Sequence, residues 1–168
     1  MTDTDRDLEH TLDDIVAARD RDDMQPTVDA LERQLRLHPD NARVNYEMGG
    51  AHDTAGAEEL ALGFYERALD LGLDGDLRVR CLLQYGSTLR NLGRGAESLA
   101  VFDRAVDADP DLAALKVFRA LTLHSMDRRD AALAELLLVI ADHVPTADIA
   151  RYTAAIRGNA RYLSDLDG

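Results

Sequence analysis

The sequence is poor in cysteine, proline and aromatic residues: it has one cysteine, four prolines, no tryptophan and 5% aromatics. Because Cys81 is alone, an intramolecular disulfide is excluded and the fold must depend on packing. Few prolines and aromatics, in a chain rich in Ala, Leu, Asp and Arg, favour helices. Hydrophobic residues make up 46% of the 168 positions, enough for one packed core. These proportions predict an all-α domain.

Positive charge is also scarce. Lysine and arginine number 19 against 32 acidic residues, which gives a formal net charge of −13, and Lys116 is the only lysine. No run of basic residues is present, and Arg128 and Arg129 are flanked by Asp127 and Asp130. Since nucleic acids and anionic lipids both attract basic surfaces, neither is expected as a partner.

Long apolar segments are absent as well. The longest apolar run extends from Leu136 to Ala141 and is far too short to cross a bilayer. The first 21 residues show no basic segment followed by an apolar stretch, so no secretory signal is recognised. With one cysteine and no signal, a cytoplasmic location is the expectation.

The sequence repeats itself with a fixed offset. Gly49, Ala61 and Tyr65 reappear as Gly86, Ser98 and Phe102, each 37 residues later. Ala68 and Leu69 likewise reappear as Ala105 and Val106. Small residues at a fixed period indicate close helix–helix contacts, and an aromatic residue at the same period indicates a side chain wedged between helices. Such a period is typical of stacked helical hairpins, each of which needs neighbours to bury its apolar face.

Helical apolar spacing and turn residues divide the chain into hairpins. The turns are marked by Asp20–Asp23, His38–Asp40, Gly56, Gly72–Gly75 and Gly93–Gly95, and then by Asp109–Asp111 and Pro145. Asp40 or Asn41 is expected to cap the start of one helix, and Gly72 is expected to end another. The 37-residue offset is three residues longer than a 34-residue repeat, and we expect the loop Gly72–Gly75 to contain these three residues.

The second and third hairpins resemble the tetratricopeptide repeat, whose 34-residue pattern is matched by register. In the second hairpin the matching residues are Asn45, Met48, Gly49, His52, Ala61, Tyr65 and Ala68. In the third they are Leu82, Tyr85, Gly86, Leu89, Ser98, Phe102, Ala105 and Pro110. Two weaker copies lie on either side, so the resemblance covers about residues 8–145.

The resemblance implies a right-handed superhelical stack of about four antiparallel helix hairpins with a C-terminal capping helix. We expect a flexible N-terminus over residues 1–6, a repeat domain over 7–145, and a capping helix with its tail over 146–168. The apolar stripe of that last helix is Ile149, Tyr152, Ile156 and Leu163.

No catalytic, metal or cofactor site is predicted. The five histidines do not form a metal-binding pair on a helix, and there is no GxSxG motif. Asp70, Asp74 and Asp76 lack the spacing of an EF-hand loop, because its third and twelfth positions would be Gly72 and Cys81. The chain is therefore expected to be no enzyme and to need no cofactor.

In the resembled family the first helix of each hairpin lines a concave groove at repeat positions 2, 5, 9, 12 and 13. Chaperone-binding members carry a Lys, Asn or Arg clamp at positions 5 and 9, which this chain lacks. Those positions here are Tyr46, Gly50, Leu83, Ser87, Val117 and Leu121. The predicted partner-groove residues are Arg43, Tyr46, Arg80, Leu83, Arg90, Asn91 and His124.

The resemblance implies a scaffold for protein–protein interaction that holds a peptide or protein segment in the groove. Groove arginines would favour a segment of acidic character. They could instead pair with acidic side chains of the chain itself, and the sequence leaves both options open. The alternative function is a self-associating module, a homo-oligomer formed through the groove or the terminal helices.

Overall fold

The computed structural model describes the backbone of residues 3–167 and the side chains of residues 6–167. These described residues form α-helices joined by short turns, and they contain no strand. The helices are α1 (Asp3–Ala17), α2 (Gln25–Leu37), α3 (Ala42–Thr54), α4 (Glu58–Asp70), α5 (Gly75–Asn91), α6 (Gly95–Ala108), α7 (Ala113–Ser125), α8 (Arg129–His143) and α9 (Ala147–Ser164). The predicted all-α hairpin repeat is confirmed.

The chain divides into two compact units, and the boundary between them lies inside α5, after Thr88. In unit 1, up to Thr88, α1 packs on α2, α2 on α3 and α3 on α4, and the start of α5 packs against α4. In unit 2, from Leu89, α6 packs on α7, α7 on α8 and α8 on α9. Within each unit, these helices therefore contact their neighbours in sequence, as expected for hairpin repeats.

The core of unit 1 contains the predicted small-residue contact. Gly49 of α3 lies against the ring of Tyr65 of α4: a Cβ at position 49 would be 2.6 Å from both Cδ1 and Cε1. Tyr65 is fully buried and belongs to a cluster with Ala61, Ala68 and Cys81. The repeat pattern thus located the helix contact correctly.

Unit 2 has a similar core between α6, α7 and α8. Ala120, Leu123 and Ala132 form a buried cluster against which Leu99 and Leu136 pack. The rings of Phe102 and Phe118 also meet, with centroids 6.5 Å apart.

Two of the predicted helix ends are confirmed. The Asn41 side chain accepts a hydrogen bond from the Val44 backbone N–H at 3.0 Å, which satisfies a donor at the start of α3. Gly72 ends α4 with φ +85°, a left-handed conformation that glycine adopts without strain. The Leu73 N–H then bonds to the Ala68 carbonyl at 3.1 Å, which closes the turn.

The three extra residues of the middle repeat step do not lengthen the loop, so that prediction is wrong. The α4–α5 connection spans residues 71–74, as short as the connections over 38–41 and 109–112, whereas α5 has 17 residues against 13 in α3 and α7. The extra turn is helical because Leu77 packs on the unit 1 core and Asp76 pairs with Arg80.

At the N-terminus, α1 begins at Asp3, earlier than residue 7, where the repeat domain was expected to begin. The predicted flexible segment covered residues 1–6. Its first two residues lie outside the described residues, and α1 includes the other four.

Candidate functional site

The seven predicted groove residues all lie on the first helices of hairpins. Unit 1 contains Arg43 and Tyr46 on α3 and Arg80 and Leu83 on α5. Unit 2 contains Arg90 and Asn91 at the end of α5 and His124 on α7.

Arg43 is held by acidic side chains of its own unit. Its Nη2 lies 2.5 Å from Asp13 Oδ1, its Nη1 pairs with Glu9, and its Nε lies 3.8 Å from Glu47 Oε1. The side chain is only 15% exposed. The hydrogen bond from Arg43 holds the pKa of Asp13 below its usual value. Arg43 therefore links α3 to α1 and offers little surface to a partner.

Tyr46 is also part of the unit 1 core. It is 7% exposed, and its ring centroid lies 6.4 Å from that of Tyr65. Burial raises the pKa of the Tyr46 hydroxyl to about 12. Its main contribution is packing between α3 and α4.

Arg80 and Leu83 are more accessible than these two residues. The Arg80 side chain is 62% exposed, and its Nη2 lies 2.7 Å from Asp76 Oδ2, one helical turn earlier. Exposed pairs of this kind are weak and open readily. Leu83 is half-buried. Together they give α5 a cationic and apolar surface.

Arg90 differs from the other two groove arginines because its side chain makes no hydrogen bond or ion pair with any described residue. Its Nη1 is shielded from solvent and has no partner, and burial lowers the pKa of the guanidinium. Arg90 lines a cavity of about 320 Å³. The other lining residues are Gly93, Gly95, Ala96, Ser125 and Met126. Asn91 and His124 are both exposed.

Three polar clusters were not predicted from the sequence. In unit 1, Arg19 Nη2 pairs with Glu47 Oε2 at 3.1 Å, and both side chains are under one-fifth exposed. The only local signal for this cluster is the spacing of Glu47 four residues after Arg43.

The second cluster is centred on Asp53. Its Oδ2 accepts hydrogen bonds from the Tyr65 hydroxyl and from Thr88 Oγ1, each at 3.1 Å. Burial nevertheless raises the pKa of Asp53. The partners lie 12 and 35 residues away, so no local spacing predicts them.

The third cluster joins three helices of unit 2. Arg119 of α7 bonds to Asp103 of α6 at 2.6 Å and to Glu135 of α8 at 3.0 Å. Burial raises the pKa of Glu135 despite this contact. The same residues, with Val106 and Asp107, line a cavity of about 360 Å³.

Among the described residues, no group of three His, Cys, Asp or Glu side chains is arranged to hold a metal ion. Within the same part of the chain, no helix has the length and apolar character needed to cross a membrane. Within each of the three polar clusters, side-chain hydrogen bonds offset the cost of burying the charged groups.

Comparison with protein families agrees with this geometry. The model of the family described as "Tetratrico peptide repeat" matches residues 42–163, from the start of α3 to the last turn of α9. The chain belongs to the tetratricopeptide repeat family. The match begins after the first hairpin, which is the weakest copy of the repeat.

A solved tetratricopeptide structure has a similar fold. It is described as YrrB, "a TPR protein with an unusual peptide-binding site". The TM-score is 0.60 at 19% sequence identity, with 86% of this chain and 76% of that chain covered. At this identity the likeness establishes the tetratricopeptide fold alone. No curated protein matches the sequence.

Proposed function

We propose that this tetratricopeptide protein is a non-catalytic scaffold that binds a peptide or protein segment in the concave groove lined by the first helices of its hairpins. Membership of the family supports an interaction role. The peptide-binding site described for YrrB, a protein of similar fold, favours a peptide as the class of ligand.

The observation that carries the proposal is apolar surface left uncovered on first helices. Leu121 of α7, at position 9 of the fourth repeat, is 43% exposed. Leu83 of α5, at position 5 of the third repeat, is half-buried. Leucines on second helices are also exposed, as Leu133 is, so exposure supports the proposal only together with the groove-lining repeat positions of Leu121 and Leu83.

Within each unit, polar side chains on the first helices would determine the specificity of binding. Arg43 and Tyr46 are committed to packing in unit 1, so the proposal depends chiefly on Arg80, Leu83 and three residues of unit 2. Those three are Arg90, Asn91 and His124. Because two of the five are arginines, we propose a segment of acidic character. We also propose a cytoplasmic location, which suits a chain whose one cysteine is a buried thiol.

A random peptide library displayed on phage tests the proposal. We expect the wild-type protein to enrich a consensus sequence, and a Leu121→Glu bait to lose that enrichment. Leu133→Glu is a matched control, because Leu133 is 48% exposed but lies on α8, the second helix of the same hairpin. Equal enrichment on the two variant baits, or no consensus on the wild type, would contradict the proposal.

The self-associating alternative predicts a different result. Light scattering would then show a mass that rises with protein concentration, and Leu121→Glu or a change in a terminal helix would lower it. A concentration-independent monomer mass that accompanies peptide enrichment supports the scaffold.

A further inference from the structure

Position 12 of the repeat carries a charged or polar side chain in every hairpin. In chain order these side chains are Arg19, Asp53, Arg90 and His124. The two in unit 1 are satisfied within the protein: Arg19 by Glu47 and Asp53 by Tyr65 and Thr88. Arg90 occupies the same repeat position as Asp53, 37 residues later, but no described residue accepts a bond from its guanidinium.

Arg90 is distinguished by a shielded guanidinium nitrogen that has no partner among the described residues. In the same unit, Arg119 pairs with Asp103 and Arg157 with Asp142, whereas Arg104 has only a backbone partner but is exposed to solvent. At Arg90 burial lowers the pKa and no neighbouring carboxylate raises it. Shielding a charged nitrogen from water without a partner costs free energy, and an incoming anion would offset that cost.

The cavity beside Arg90 is suited to such an anion. Its lining residues include no acidic side chain, in contrast to the 360 Å³ cavity of the same unit, which is lined by Asp103, Asp107 and Glu135. The cavity volume of about 320 Å³ gives room for a carboxylate group. Met126 lies against Gly95, where a Cβ would be 2.7 Å from Met126 Cγ, and supplies an apolar wall.

We propose that Arg90 and this cavity form a carboxylate subsite for the bound segment. The subsite receives an Asp or Glu side chain, or a chain-terminal carboxylate, while Met126 contacts the adjoining aliphatic carbons. Guanidinium and carboxylate groups form paired, charge-assisted hydrogen bonds, and this geometry selects arginine over lysine. The inference rests on the proposed peptide-binding function and names the chemical group that one part of the site recognises.

A carboxylate probe tests the subsite without a peptide. Sodium glutarate replaces sodium chloride at constant ionic strength while the arginine Nε–H signals are followed by NMR. We expect a saturable shift at Arg90 and none with the neutral diamide, glutaramide. Arg104 is the internal control, because it is exposed and its Nε bonds only to the Ala100 carbonyl. A shift at Arg90 no larger than that at Arg104 would overturn the subsite.

Peptides enriched from the library then separate the two proposals. We expect Arg90→Gln to weaken such a peptide about tenfold or more, Arg90→Lys to restore part of the loss, and Arg104→Gln to leave affinity unchanged. Glu→Gln changes in the peptide test whether the bound carboxylate is a side chain. Amidation of the peptide C-terminus tests whether it is the terminal carboxylate. Whichever change removes the sensitivity to Arg90→Gln marks the bound carboxylate.

Failure of each proposal has its own signature. A peptide that binds Arg90→Gln as tightly as the wild type, but is lost in Leu121→Glu, contradicts the subsite and keeps the scaffold. Absence of any enriched peptide, with a saturable glutarate shift at Arg90, contradicts the scaffold and keeps the anion site.

Discussion

Gly49 and Tyr65 are in such close contact that position 49 has no room for a side chain. A Cβ there would be 2.6 Å from two carbons of the Tyr65 ring, and that ring is fully buried. The neighbouring Gly50 also lies in α3, but an added Cβ there would meet nothing within 4 Å. The two adjacent glycines therefore differ in what alanine would do.

Gly49→Ala should destabilise unit 1 by about 1–3 kcal/mol, because the ring must move or the helices must separate. Gly50→Ala should be neutral or stabilising by up to about 1 kcal/mol, because alanine is the better helix former. Urea denaturation of the two variants measures the difference. Equal free energies of unfolding would show that the Tyr65 ring moves away from position 49 without loss of stability.

Asp53 should contribute a pH dependence to stability. Burial raises its pKa in the folded state above the unfolded value of about 3.9, so the protonated form favours folding. This contribution is present below the unfolded pKa and is lost as pH rises through the folded pKa. Asp53→Asn can still accept bonds from Tyr65 and Thr88 but does not titrate.

The free energy of unfolding of Asp53→Asn, relative to wild type, should therefore rise as pH increases through the folded pKa and be constant above it. Denaturant titrations over a series of pH values measure this difference. A difference that is flat across the acidic range would mean that Asp53 has the same pKa in the folded and unfolded states.

Removing Arg119 should destabilise unit 2 because it leaves Glu135 buried without its cation. The Glu135 side chain is 17% exposed, and its pKa is raised by burial even with Arg119 present. We expect Arg119→Met to cost about 1–3 kcal/mol at neutral pH and less at acidic pH, where Glu135 is protonated.

Arg129→Met is the control for Arg119→Met. Arg129 pairs with Asp127 on the surface, with side chains 71% and 86% exposed, and such pairs contribute little. Thermal unfolding of both variants at two pH values checks the prediction. If Arg119→Met lowers stability by the same amount at both pH values, the cause is lost packing of the arginine side chain and not the lost ion pair.

Cys81 should be unreactive in the folded protein. The thiol is fully buried, its Sγ lies 3.7 Å from the Tyr65 carbonyl oxygen, and burial raises its pKa to about 12. Because the thiolate is the reactive form, a thiol reagent at neutral pH should label Cys81 only when unit 1 opens. Labelling should become fast in urea. Rapid labelling without denaturant would contradict the described burial.

The repeat pattern was sufficient to predict the hairpins and a close helix contact at Gly49, because each depends on spacing within one repeat. The cap of α3 was predicted only as Asp40 or Asn41, and the structure identifies Asn41. The extra turn of α5 was not predicted, because aspartate and glycine mark both turns and helix starts, as they do over residues 74–76. The packing of Leu77 on the unit 1 core favours a helix over a turn in this segment.

The candidate site was harder to predict than the fold. Repeat register placed Arg43, Arg80 and Arg90 on first helices but could not tell which of them pair internally. That depends on contacts such as Arg43 with Asp13, 30 residues away on another helix. Among the described residues, Arg43 and Arg80 form ion pairs and Arg90 forms none, a distinction that requires knowledge of tertiary contacts.

The proposed function requires that a peptide segment bind to the first helices of the hairpins. Isothermal titration calorimetry of a library-enriched peptide against the wild type, Leu121→Glu and Leu133→Glu tests it most directly. Circular dichroism confirms that both variants fold. We expect one peptide per protein molecule, about tenfold or greater weakening in Leu121→Glu and unchanged affinity in Leu133→Glu. Equal affinity for the two variants, or a loss confined to Leu133→Glu, would contradict it.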